Sequence, residues 1–279
     1  MRRLYSSLVI LSLIAAIPGT AQSAEALQFP LFRHIDRLAP APQVTLPKAL
    51  TLLTDEDFAP FSFKTAEGRA TGISVDLALA ACAELKIQCQ VKPVPFASLL
   101  SSLQEKQGNV VIAGPVATAA TVASFAATKP YYFSFSQFVG KVSTNFPGQD
   151  EKSLAGRRLG FIAGTQQEAF LKKHYDRANL VPYTDATAMY EALRTGGLDL
   201  VFVDSLQAAF WLKGPDAREC CAPFGQSFVD KDTFTHGLTM LTRSEDAGLR
   251  DAFDYALDRL QDKGSTSAIL SSYLPVSPF

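Results

Sequence analysis

From Leu50 to Tyr273 the chain alternates short apolar runs with segments of helical spacing, and glycine-bearing turns separate the two. An apolar run of four to eight residues buries as a strand, and the amphipathic segments between such runs cover the resulting sheet as helices. The alternation therefore dictates an α/β fold. In the first half it predicts strands at Ala49–Leu53, Cys89–Val94 and Val110–Ala113, the last closed by Gly114-Pro115. Helices fall between them at Val75–Leu85 and Phe96–Gln104, and Asp76 sits in the first turn of one, where a negative charge suits the helix dipole.

The second half repeats the order. Residues 154–162 read as a turn and then a strand, followed by Ala163-Gly164-Thr165 and a helix over Gln166–His174. Ala186–Arg194 is a further helix, Leu198–Val203 a strand and Ser205–Leu212 a helix. Two stretches suit crossings between the halves: Phe133–Val142, β-rich with polar alternation, and His236–Leu241. Ala247–Asp262 and Ser265–Tyr273 close the chain as amphipathic helices. The halves share an architecture and no tandem repeat. The expected organisation is one lobe from residues 48–138 and 237–279 and a second from 139–236, joined at a hinge by two crossover strands. A cleft then lies between the lobes at the carboxyl ends of the strands, where α/β sheets bind ligands.

The start of the chain indicates export. Arg2 and Arg3 precede an apolar core, Leu8–Ile17, that is too short to anchor in a bilayer. Ala24-Glu25-Ala26 fits an A-x-A cleavage pattern, with Gly19-Thr20-Ala21 as a second candidate. Residues 1–26 thus read as a signal peptide and 27–47, rich in proline, as an extended arm. Removing 1–26 takes away two Arg and one Glu, leaving 24 basic and 26 acidic residues. That balance excludes nucleic acid and anionic membrane as partners, since the largest basic clusters are the pairs Arg157-Arg158 and Lys172-Lys173.

An oxidising compartment favours disulfides. Cys82 and Cys89 flank the end of one helix and the start of the next strand, a spacing that allows a bridge. Closing so short a loop contributes about 2–3 kcal/mol by chain entropy. Cys220 and Cys221 are adjacent, and both a vicinal disulfide and a pair of thiols remain open. His34, His174 and His236 are scattered, so no metal and no cofactor is expected.

Thr54-Asp55, Phe58-Ala59-Pro60-Phe61 and Gly72-Ile73-Ser74-Val75-Asp76 follow one another in order. After them come Val111–Gly114, Thr118 and Lys129-Pro130-Tyr131, then Gly156, Gly164-Thr165, Gly197-Leu198-Asp199 and Val203-Asp204. This ordered set resembles bacterial periplasmic solute-binding proteins of family 3, which capture polar amino acids for ABC importers, and the likeness covers nearly all of Lys48–Pro275. It implies a two-lobed periplasmic binding protein-like fold, a monomer in the periplasm, a small-molecule ligand and an ABC permease partner. The Cys82–Cys89 spacing is similar to a disulfide of the family's histidine and basic amino-acid binders.

Carried over position by position, the resemblance implies a ligand site at Asp55, Phe58, Phe96, Gly114, Val116, Thr118, Thr121, Thr165, Gln166 and Asp204. The family's carboxylate-binding Arg corresponds to Thr121, which offers one donor and no charge where an Arg fork makes two charge-assisted bonds. A family hydroxyl corresponds to Val116. Either the ligand lacks that carboxylate, or another cation replaces the Arg, with Lys129, Arg69 and Lys141 as candidates. Asp204 matches the ammonium-binding position, and it would also serve as a helix N-cap before Ser205. Asp55 reads as ligand group or turn former. Phe58 and Phe96 read as cleft walls, suited to apolar bodies or to cations through their faces, or as core packing. Thr165 and the amide of Gln166 open a helix and read as an acceptor site or an ordinary cap.

The leading expectation is thus a binding protein for an amine-bearing solute, with no catalytic set. Two alternatives stand beside it. One is an accessory or sensor-linked binding protein for a ligand other than an amino acid. The other is a dehydratase-like enzyme on the same scaffold, for which Glu168 would be the general acid.

Overall fold

The computed structural model describes residues 41–114, 119–133, 135–228 and 237–273. The expected signal peptide, the arm up to residue 40, His34, Val116, Thr118 and His236 lie outside the described residues.

Two mixed five-stranded sheets organise the chain. The first starts with β1 (Ala49–Asp55). A small antiparallel sheet follows, built of β2 (Asp57–Phe58), β3 (Ser62–Lys64) and β4 (Ala70–Thr71). Next come α1 (Ile73–Glu84), β5 (Gln88–Val94), a 3-10 turn at Phe96–Ser98, α2 (Leu99–Gln104), β6 (Val110–Val111), α3 (Ala119–Ser124) and β7 (Phe125–Ala127).

The chain then enters the second sheet with β8 (Ser136–Lys141), β9 (Arg158–Ile162), α4 (Gln166–His174) and β10 (Asn179–Tyr183). It continues through α5 (Ala186–Thr195), β11 (Leu200–Asp204), α6 (Ser205–Lys213) and β12 (Cys221–Phe228). It returns to the first sheet with β13 (Leu241–Arg243) and ends in α7 (Ala247–Asp262) and α8 (Ser265–Tyr273).

Strand order is β5-β1-β6-β13-β7 in one sheet and β10-β9-β11-β8-β12 in the other. In each, two parallel pairings are followed by two antiparallel ones, so a single strand, β13 or β8, runs against the other four. Two interior strands, β1 and β11, end at Asp55 and Asp204. Each sheet has its own apolar core. Leu52, Ile73, Leu77 and Phe253 centre the first, and Phe138, Phe161, Phe202 and Leu200 the second.

Local chemistry fixes the elements that matter for the cleft. Gly72 precedes α1 with φ 129°, and a Cβ there would lie 2.4 Å from the Phe61 carbonyl oxygen, so only glycine fits. The Tyr273 hydroxyl accepts the Gly72 amide at 3.1 Å and donates to Asp76 at 2.7 Å, tying α8 to the start of α1. Cys82 and Cys89 form the expected disulfide between α1 and β5, and Cys220–Cys221 is a vicinal disulfide.

Three expectations are corrected. The helix expected at Phe96–Gln104 divides into the 3-10 turn and α2. The strand expected at Val110–Ala113 is shorter. The crossover stretch Phe133–Val142 is an interior antiparallel strand, β8, between β11 and β12, where Phe138 and Val139 are fully buried.

Candidate ligand-binding site

A cavity of about 500 Å³ lies where the two sheets meet. The first sheet and its loops contribute Asp55, Asp57, Phe58, Phe96, Gly114 and Thr121, and the second contributes Thr165, Gln166, Asp185, Phe202, Asp204 and Gln207. Eight of the ten residues singled out in the sequence therefore line one cavity. The other two, Val116 and Thr118, are not among the described residues.

Asp204 ends β11 and caps α6: its Oδ1 accepts the amides of Leu206 at 2.8 Å and Gln207 at 3.1 Å. It is only 9% exposed. Cap and cavity wall are thus one residue. Thr165 has the same double place. Its Oγ1 donates to the Ile162 carbonyl at 2.6 Å and accepts the Glu168 amide at 3.4 Å, capping α4 at the cavity edge. The side-chain Oε1 of Gln166 is buried without a hydrogen-bond partner.

Asp55 is 8% exposed. Burial pushes its carboxyl up to about 6; the amides of Asp57 and Glu56 pull the other way, and the nearby Asp57 and Glu56 charges add to the rise. Phe58 stacks on Phe61 with ring centroids 4.8 Å apart. Phe96 bridges the two sheets, because a Cβ on Gly114 would lie 3.1 Å from its ring and one on Gly164 3.4 Å. Gly114 adopts φ 111°, which favours glycine there.

None of the three cations considered for the carboxylate lines the cavity. Lys129 pairs with Asp258 at 3.3 Å, Arg69 is exposed in the turn between β3 and β4, and Lys141 ends β8 beside Gly196. Among the described residues the cavity wall has four carboxylates and no Lys, Arg or His. Glu168 is also placed. It accepts the Gly164 amide at 2.5 Å and pairs with Lys172 at 2.6 Å, and Lys172 holds its carboxyl below the usual range. Its carboxylate thus lies at the start of α4, shared between the Gly164 amide and Lys172.

The sequence missed Asp57, whose carboxylate crosses between the sheets. Oδ2 accepts the Thr187 amide at 2.9 Å and Oδ1 accepts the Thr187 hydroxyl at 3.1 Å. Asp185 takes the Ala188 amide of the same helix at 2.7 Å, so α5 is capped from both lobes. Phe63 meets Phe210 at 5.7 Å and Leu206 packs into the first core, so the cleft is closed along this rim. Charge-assisted bonds contribute about 1.5–3 kcal/mol each where shielded. Asp57→Ala is expected to weaken ligand binding about 10- to 100-fold, mainly through faster dissociation, as stopped-flow displacement would read. An unchanged dissociation rate would show that the contact does not hold the cleft shut.

Residues 50–276 match the family model for bacterial extracellular solute-binding proteins, family 3. The histidine-binding periplasmic protein of Salmonella typhimurium is 30% identical over 240 residues, covering 84% of this chain and 91% of that protein. The lysine/arginine/ornithine-binding periplasmic protein of Escherichia coli is 29% identical over 232 residues, covering 82% and 88%. Among solved structures, an arginine-specific periplasmic binding protein of Salmonella typhimurium superposes with a TM-score of 0.74 at 24% identity, covering 81% of this chain and 99% of that one. An ancestral arginine-binding protein bound to glutamine gives 0.75 at 22% identity, covering 83% and 100%. These likenesses make the fold that of two-lobed periplasmic amino acid-binding proteins. With the family model spanning both sheets and the cavity between them, the chain belongs to the bacterial extracellular solute-binding proteins of family 3.

Proposed function

We propose that this solute-binding protein captures a small, amine-bearing polar solute in the periplasm and delivers it to an ABC permease. It acts as a monomer and performs no chemistry on its ligand. Leader cleavage after Ala26 would release it into that compartment. Asp204 carries the reading: a nearly buried carboxylate at the end of a central strand, facing a cavity shared by both sheets. An ammonium held there and an anionic Asp204 compensate each other's loss of water when the cleft closes. Relatives named for histidine, lysine, arginine and ornithine agree with a nitrogen-rich ligand.

A thermal-shift screen against amino acids, amines, betaines and small organic acids tests the reading. A ligand at about 100 times its Kd stabilises the folded state by about 2.7 kcal/mol, which is about 5–10 °C for a chain of this size. Shifts are expected from amine-bearing compounds. Shifts confined to organic acids without nitrogen would defeat the proposal.

A further inference from the structure

We infer that the ligand is an organic dication without a carboxylate, a diamine or guanidino-amine, held by one cationic end on Asp55 and by the other on Asp204. This rests on the reading of the cavity as an amine site. It goes further by fixing the number of charges and by excluding the carboxylate.

The charge inventory comes first. Among the described residues the wall contributes Asp55, Asp57, Asp185 and Asp204 and no cationic side chain. A zwitterionic amino acid would bring one positive and one negative group into that field, and its carboxylate would meet no opposite charge among the described residues of the wall. A dication meets only attraction. Burying an unpaired charge costs several kcal/mol, so the imbalance selects strongly between the two.

The backbone gives an independent argument. A helix N-terminus is the usual place for an anion. Three helices point theirs at this cavity, and each already carries an acidic group of the protein. Glu168 takes the Gly164 amide at the start of α4, Asp185 and Asp57 take amides of α5, and Asp204 takes two amides of α6. The positive ends of α5 and α6 are thus countered from within, and Glu168 stands beside that of α4.

One further polar group of the wall asks for a donor. Oε1 of Gln166, on the cavity wall, is buried without a hydrogen-bond partner, and an ammonium or guanidinium supplies N–H groups where a carboxylate supplies none. Asp55 and Asp204 stand at the ends of β1 and β11, one in each sheet, so two cationic ends would clamp both lobes to one molecule. Phe58, Phe96, Leu100 and Ile162 offer apolar and aromatic surface for the carbon chain between them.

Calorimetry on the purified protein, cleared of carried-over ligand by reversible unfolding, decides the matter with pairs that differ only in the carboxylate. The probes are arginine with agmatine, lysine with cadaverine, and ornithine with putrescine, plus butylamine as a single-charge control. In at least one pair the decarboxylated member is expected to bind tenfold or more tightly than its parent. Putrescine is expected to exceed butylamine at least a hundredfold. Thr121→Arg, which adds a guanidinium to the wall, is expected to weaken diamine binding at least tenfold.

Parent amino acids that bind as tightly as their amines would overturn the inference and leave the amine site standing. Equal binding of butylamine and putrescine, or undiminished diamine binding by the Thr121→Arg variant, would overturn it as well. Silence from every amine and amino acid at millimolar concentration would overturn both this inference and the amine-site reading.

Discussion

Asp204→Asn is expected to weaken ligand binding by a hundredfold or more while the empty protein melts within a few degrees of the parent. Asparagine keeps an oxygen for the amides of Leu206 and Gln207, so the cap on α6 survives, and only the charge facing the cavity is lost. A buried ammonium without its counter-charge loses about 3 kcal/mol or more, which is the origin of the hundredfold. Asp204→Ala is the less informative variant because it also removes the cap, at about 0.5–2 kcal/mol of stability. Calorimetric titration and thermal melting of the Asn variant separate the two roles. Normal affinity would mean that Asp204 only caps a helix.

Asp55→Asn is expected to make the empty protein more stable at neutral pH and nearly unable to bind. The wild-type carboxyl titrates at about 6 when folded, against 3.8 in its ordinary state, because burial disfavours the charge. The folded protein therefore holds a proton that the unfolded chain has lost between those two values. Stability conferred by the neutral form is fully present below about pH 4 and is lost as pH rises through 6. Above pH 7 the ionised group costs on the order of 2–3 kcal/mol, which the Asn variant regains.

Ligand affinity runs the other way. A cation needs the ionised carboxylate, so wild-type affinity falls about tenfold per pH unit below 6, and the variant loses that dependence. Asp57 is also shifted upward by burial, so a residual slope remains in the variant's melting curve. Melting temperatures and titrations between pH 4 and 8 read both effects. A variant no more stable than wild type at pH 7.5, with unaltered affinity, would remove Asp55 from the site.

The opposed signs at Asp55 express a general conflict between binding and stability: a group poised for a ligand is uncompensated in its absence. A sequence can name such a residue, but the burial that makes it costly depends on how neighbouring elements close over it.

Much of the architecture was legible from local pattern. The bounds of α7 and α8 agree with the expected Ala247–Asp262 and Ser265–Tyr273 because apolar residues recur at helical spacing on both sides of Gly264, whose φ is 75°. The strand β12, Cys221–Phe228, escaped notice because a vicinal disulfide, Pro223 and Gly225 interrupt its alternation, and only pairing with β8 defines it. The edge strand β10 carries Pro182 and likewise gains its identity from β9. Phe133–Val142 was legible as a strand but not as an interior one, since antiparallel partners on both sides come from residues 200–204 and 221–228.

The site divides along the same line. The sequence by itself determined the α/β order, the family likeness, the carboxylates at the ends of two strands, and the lack of an arginine at Thr121. These are properties of residue type and spacing along the chain. Only the tertiary structure decided that Lys129, Arg69 and Lys141 stand away from the cavity, that Asp204 and Thr165 are caps and cavity walls at once, and that Asp57 reaches Thr187. Asp57 and Thr187 are 130 residues apart, and Asp57 sits in the acidic run Asp55-Glu56-Asp57, where no spacing singles it out. Charge complementarity across a cleft is a sum over groups from both lobes, and that sum exists only when the lobes are brought together.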